Sequence, residues 1–127
     1  VIGEEVEKAM RHACTKFPEV ELVEFTVAPQ VTPASELPRH EWYISFANPP
    51  KDLAAFTTEL DNQLRALNTY YDDLITGNIL KELDIISLPP NAFIEYMKSI
   101  GKLGGQNKVP RLSNDRKIAD ELVKMKM

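Results

Sequence analysis

Two short runs of strict alternation set the architecture available to this chain. Val23, Phe25 and Val27 alternate with Glu24 and Thr26, and Trp42, Ile44 and Phe46 alternate with Tyr43 and Ser45. Successive side chains on a strand point to opposite faces, so each run predicts a half-buried strand with one apolar face. The loop from Pro29 to Pro38 contains three prolines and exceeds a tight hairpin, which allows antiparallel pairing without specifying its register. An apolar sheet face has to be covered, and the flanking segments supply helices to cover it.

From Glu4 to Phe17, Val6, Ala9, Met10, Ala13, Cys14 and Phe17 recur at helical spacing, and Pro18 ends the helix. After Asn48-Pro49-Pro50, residues Leu53, Phe56, Leu60, Leu64 and Leu67 mark one face of a helix from about Lys51 to Leu67. Tyr70 to Leu74 predicts a turn or short helix, Leu83 to Leu88 a third strand closed by Pro89-Pro90, and Phe93, Met97 and Ile100 another short helix with Gly101 as its C-terminal cap. Ser113 is the expected N-cap of a final helix, with Asp115 in its first turn and Ile118, Leu122 and Met125 on one face. The order helix, strand, strand, helix, strand, helix, helix predicts an α+β fold. It is a small three-stranded, mainly antiparallel sheet packed with helices on at least one face, formed by residues 1–127 as a single domain.

Composition supports a folded chain and excludes some functions. Hydrophobic residues make up 43% and charged residues 27%, ordinary globular usage. The net charge of -4 argues against a general nucleic-acid binder, which needs a basic face. Cys14 is the one cysteine, so no intrachain disulfide or thiolate cluster can form, which suits a reducing cytoplasm. No apolar run approaches the roughly 18 residues of a membrane span, and the first residues lack a basic region followed by an apolar core, so neither anchor nor signal sequence is expected.

Chemistry concentrates in Gly101-Lys102-Leu103-Gly104-Gly105-Gln106-Asn107-Lys108-Val109-Pro110-Arg111-Leu112, which holds three of the five glycines. Gly104 and Gly105 permit close backbone approach to a ligand, Lys108 offers a mobile point charge, and Arg111 offers a forked set of donors. Together they suit a phosphate or carboxylate whose negative charge grows in a transition state. The spacing matches neither a P-loop nor a dinucleotide fingerprint, and a solvated connector with a surface salt bridge accounts for the same composition.

Here the chain resembles the acyl acid amido synthetases, the auxin-responsive Gretchen Hagen three family of the luciferase-like adenylating superfamily. The resemblance covers nearly the whole chain. It includes Arg39-His40-Glu41-Trp42-Tyr43-Ile44-Ser45-Phe46, Leu67-Asn68-Thr69-Tyr70-Tyr71-Asp72 and Leu88-Pro89-Pro90-Asn91-Ala92-Phe93. Most specific is Lys108 followed two positions later by Pro110-Arg111, and Gly104-Gly105-Gln106 before it and Leu112-Ser113-Asn114-Asp115-Arg116 after it are similar to bacterial-type members.

The resemblance implies the mobile C-terminal domain of a larger enzyme. That enzyme uses ATP, with Mg²⁺, to convert a carboxylic acid to an acyl adenylate, and then transfers the acyl group to an amino acid. Lys108 would assist adenylation as the catalytic residue. Gly105, Gln106 and Arg111 would serve substrate and nucleotide binding, with Arg111 either positioning the loop or contacting a polar partner. The partner is the N-terminal adenylating domain, expected upstream in the same polypeptide. Neither nucleic acid nor membrane is implied as a partner, no cofactor is expected on this domain alone, and isolated it should not turn over.

Other candidates have plainer readings. His40 beside a strand reads first as a local hydrogen-bonding residue, and His12 lies on an amphipathic helix without a metal-ligand cluster around it, so no metal site is expected. Asp72-Asp73 suits a helix end more than a cation site, Tyr70 and Tyr71 suit packing, and Cys14 suits the apolar face of the first helix. Two competing functions are a free-standing small-molecule-binding or regulatory α+β module without catalysis, and an interaction domain presenting the Leu-rich stripe of the longest helix.

Overall fold

The computed structural model describes residues 1–31, 36–101 and 109–126. Helix α1 (Gly3–Lys16) begins where the Glu5 carboxylate accepts the backbone N–H of Ile2 at 2.9 Å, with Glu4 and Glu5 at the positive end of the helix dipole. Strands β1 (Glu21–Gln30) and β2 (Arg39–Asn48) follow. They pair antiparallel from Glu21 opposite Asn48 to Gln30 opposite Arg39, with register shifts near Leu22. The long loop is therefore closed by strands that run past the alternating runs at both ends.

Helix α2 (Leu53–Leu67) starts at Asp52, whose side chain accepts from the Ala55 N–H. Asn68 ends it and caps α3 (Thr69–Thr76) by accepting from the Tyr71 N–H at 2.8 Å. Strand β3 (Asp84–Leu88) then joins β2 in parallel, giving a mixed sheet in the order β1-β2-β3 whose longer pairing is antiparallel. The α2–α3 pair is long enough to serve as the crossover that a parallel connection requires. Helix α4 (Ala92–Ser99) ends before Gly101, which takes the left-handed φ of 70° that glycine adopts without strain. Helix α5 (Lys117–Leu122) runs into a 3-10 turn at Val123–Met125.

The sheet is covered on both sides. On one face Phe25, Val27, Trp42, Ile44 and Phe46 pack against α1, α2 and α3 through Met10, Phe56, Leu60, Leu64 and Tyr71. On the other, Ala28, Tyr43, Ile86 and Leu88 meet Phe93 and Tyr96 of α4, Val109, and Ala119 and Leu122 of α5. The expectation of a half-buried second strand is corrected accordingly: Glu41 through Phe46 are all buried. Tyr43 and Ser45 read as an outer face because they carry hydroxyls, yet α4 and α5 cover that face. The Leu-rich stripe is core, with Leu60 and Leu64 fully buried beneath the sheet.

The final helix also begins later than the sequence predicts. Ser113 is not its N-cap, because the Ser113 N–H donates to the Val27 carbonyl at 2.9 Å and residues 111–113 lie along the sheet. Asp115 stands before the helix and accepts the Lys117 N–H at 3.0 Å. Among the described residues no helix is long and apolar enough to cross a membrane.

Candidate functional site

The chain re-enters the described region at Val109, which is buried against the second core. It then lies on the free edge of β1. The Thr26 hydroxyl donates to the Pro110 carbonyl at 2.5 Å, the Val27 N–H to the Arg111 carbonyl at 2.9 Å, and a parallel bridge joins Val27 to Leu112. Residues 111–113 therefore extend the sheet by one short pairing beyond β1. An exposed strand edge offers unpaired N–H and C=O groups, and this segment satisfies those of Val27.

Arg111 is the best-connected side chain of the segment. Its Nε donates to Glu7 of α1 at 2.7 Å, and its Nη1 donates to Glu24 of β1 and to the Phe25 carbonyl at 2.9 Å. The guanidinium carbon sits 4.3 Å from the centroid of the Phe25 ring, within range of a cation–π contact. Burial opposes the positive charge, but the bonds to Glu24 and Glu7 outweigh it and hold the Arg111 pKa above its ordinary value. Arg111 also lines a cleft of about 440 Å³ with Glu7, Met10, Arg11, Cys14 and Phe25. Lys108, Gly105 and Gln106, with Gly104, lie outside the described residues.

On the far side of the segment, Leu112, Ser113 and Asn114 form a second cleft of about 580 Å³ with Pro29, Val31 and His40. The His40 ring packs 5.6 Å from that of Tyr71, and its Nδ1 is buried without a partner among the described residues. Burial lowers its pKa to about 4, so the imidazole is neutral near pH 7.

The remaining candidates separate cleanly. Tyr71 is buried and donates its hydroxyl to buried Asp61, while Tyr70 is 71% exposed. Asp72 pairs with Arg65 at 2.5 Å, and no group of three metal-ligating side chains occurs among the described residues. Cys14 is half-buried on α1, where desolvation raises its thiol pKa and disfavours the thiolate. His12 is exposed.

One polar cluster escaped the sequence reading. Buried Glu41 accepts the Tyr43 hydroxyl at 2.8 Å, Arg116 at 2.9 Å and Arg39 at 3.1 Å, and Arg116 also donates to the Tyr43 oxygen and the Pro29 carbonyl. Desolvation first, then the bond to Glu41, pushes the Tyr43 pKa up to about 12. Arg116 thereby ties the start of α5 to the sheet. Glu41 and Tyr43 stand two apart on one strand, so their shared face was legible, but nothing in the local pattern marked Arg116 as their partner.

This architecture is found in known proteins. A solved structure titled GH3.15 acyl acid amido synthetase superposes with a TM-score of 0.76 at 18% identity, covering 97% of this chain and 24% of that one. A second, AtGH3.15 acyl acid amido synthetase in complex with 2,4-DB, gives 0.71 at 18% identity, with 98% and 23% covered. The chain thus spans about a quarter of the length of these two structures. A search of curated protein sequences finds no significant match. The sequence profile of the GH3 family C-terminal domain matches residues 4–117, from α1 through the β1-edge segment to the start of α5, and this chain belongs to that family.

Proposed function

We propose that this domain is the mobile C-terminal part of an ATP-dependent acyl acid amido synthetase, and that Lys108 assists its adenylation step. In the first half-reaction a carboxylate oxygen of the acyl acid attacks the α-phosphorus of ATP, and pyrophosphate leaves. In the second, the amine of an amino acid attacks the acyl carbon, AMP leaves, and an amide forms. Charge grows on the phosphoryl oxygens during the first step, and a lysine ammonium held against them would stabilise it without forming a covalent bond. Mg²⁺ would enter with the ATP phosphates it binds. Gly105 and Gln106 would bring the backbone of the lysine segment close to the nucleotide.

The reading is carried by one observation: the two residues after Val109 are anchored to the β1 edge and to α1 by backbone, hydroxyl and guanidinium contacts. A residue that must meet a reacting phosphate needs such a support. Family membership and the fold point the same way. Arg111 fits loop positioning better than ligand binding, since its Nε and Nη1 already serve Glu7, Glu24 and Phe25. The nucleotide and acyl pockets would belong to an N-terminal adenylating domain of the same cytoplasmic polypeptide, which is the partner of this one.

The test is Lys108→Ala in the parent enzyme. Pyrophosphate release on adding acyl acid and ATP should fall by about 100-fold or more, the scale for removing one transition-state donor. Amide formation from preformed acyl adenylate should be little changed. Normal adenylation in the variant refutes the role of Lys108, and ligand binding by the parent without any adenylation would favour a regulatory module instead.

A further inference from the structure

We infer that Glu24 and Thr26 on β1, with Glu7 on α1 as a weaker arm, are positioning residues for adenylation: they hold the Pro110-Arg111 anchor from which Lys108 is presented. The inference rests on the function proposed above and adds residues that touch neither substrate nor nucleotide.

Little slack separates the anchor from the lysine. Lys108 stands two residues before Pro110, a span of at most roughly 7 Å across two trans peptide units. The one residue between them is Val109, whose side chain is buried in the second core and whose backbone Pro110 biases toward extended conformations. A displacement of the anchor is therefore passed on to the lysine.

The arms differ in strength. Glu7 keeps about half of its side chain in water (47%), so its ion pair with Arg111 is screened. Glu24 is more covered at 26%, it also accepts the Phe25 N–H at 3.0 Å, and its contact to Arg111 is reinforced by the Phe25 carbonyl and ring. Thr26 is buried and donates to the carbonyl of Pro110 itself. The planar guanidinium spreads its donors over two elements and so sets the direction of the segment as well as its place. Partial exposure limits what these contacts add to stability, whereas a misplacement of about 1 Å can cost about 100-fold in rate.

Glu24→Ala and Thr26→Val in the parent enzyme test this, each alone and combined with Lys108→Ala, with melting curves to confirm folding. Either substitution should lower the kcat for adenylation about 10-fold, with the rate of transfer from preformed acyl adenylate unchanged. Because the residues act through Lys108, neither should lower the residual rate of Lys108→Ala by more than about twofold. Should Glu24→Ala not fold, Thr26→Val carries the same comparison, since it replaces one hydroxyl with a methyl of similar size. Unchanged adenylation beside a defective Lys108→Ala overturns the positioning role, as does a loss that multiplies with that of Lys108→Ala. Normal adenylation by Lys108→Ala itself marks the failure of the underlying function instead.

Discussion

Adjacent tyrosines at the start of α3 provide the sharpest test of this fold. Tyr71 is 2% exposed and donates its hydroxyl to Asp61, a buried carboxyl group whose other neighbour is the Leu83 N–H at 3.4 Å. Tyr71→Phe keeps the ring, so no cavity opens, but it removes the main donor to Asp61 and leaves a marginal contact. A hydrogen bond to a charged partner is worth about 1.5–3 kcal/mol, and stranding the buried acceptor puts the loss near the upper end, about 2–3 kcal/mol. For a domain of this size each kcal/mol shifts Tm by roughly 3–4 °C, so a fall of about 6–12 °C is expected. Tyr70→Phe, at an exposed position, should stay within about 0.5 kcal/mol of the parent. Urea denaturation followed through the single tryptophan, Trp42, which is fully buried, reads both variants. A loss below about 0.5 kcal/mol in Tyr71→Phe, or equal losses in the two, would refute the reasoning.

Two further outcomes follow from packing and titration. Leu60→Ala should cost about 2–5 kcal/mol in the same urea assay, because a fully buried side chain leaves a cavity under the sheet; retention of stability with loss of a binding partner would revive the interface reading. His40 has a folded pKa of about 4, against an ordinary value near 6.5, so the unfolded chain binds the extra proton between those values. Its contribution, up to about 3 kcal/mol, is present above pH 6.5 and is lost as pH falls toward 4. Denaturation of His40→Gln at pH 7 and pH 5 should show a smaller drop than the parent, and an equal drop would count against a buried neutral imidazole.

The candidate site was legible in part. Gly101, the lysine segment and Arg111 stood out because glycine, proline and cationic residues cluster within a short span. The partners of Arg111 did not. Glu7 and Glu24 lie 104 and 87 residues away in the chain, and each reads locally as a solvated charge on a helix or strand. Arg116 and Glu41 were missed for the same reason, and Ser113 was misread because a serine before an apolar run carries the same local signal whether it caps a helix or extends a sheet.

By itself the sequence determined the kind and order of the elements. Helical and strand periodicities are set by residues three, four or two positions apart, and proline and glycine stop them by local sterics. Tertiary structure decided the rest: that β3 runs parallel to β2, that α4 and α5 bury the second face of the sheet, and that residues 111–113 lie on the β1 edge. Each of these joins residues distant in the chain. A backbone N–H, an edge carbonyl or a guanidinium can be satisfied by many partners, and only the packed fold brings one of them within reach.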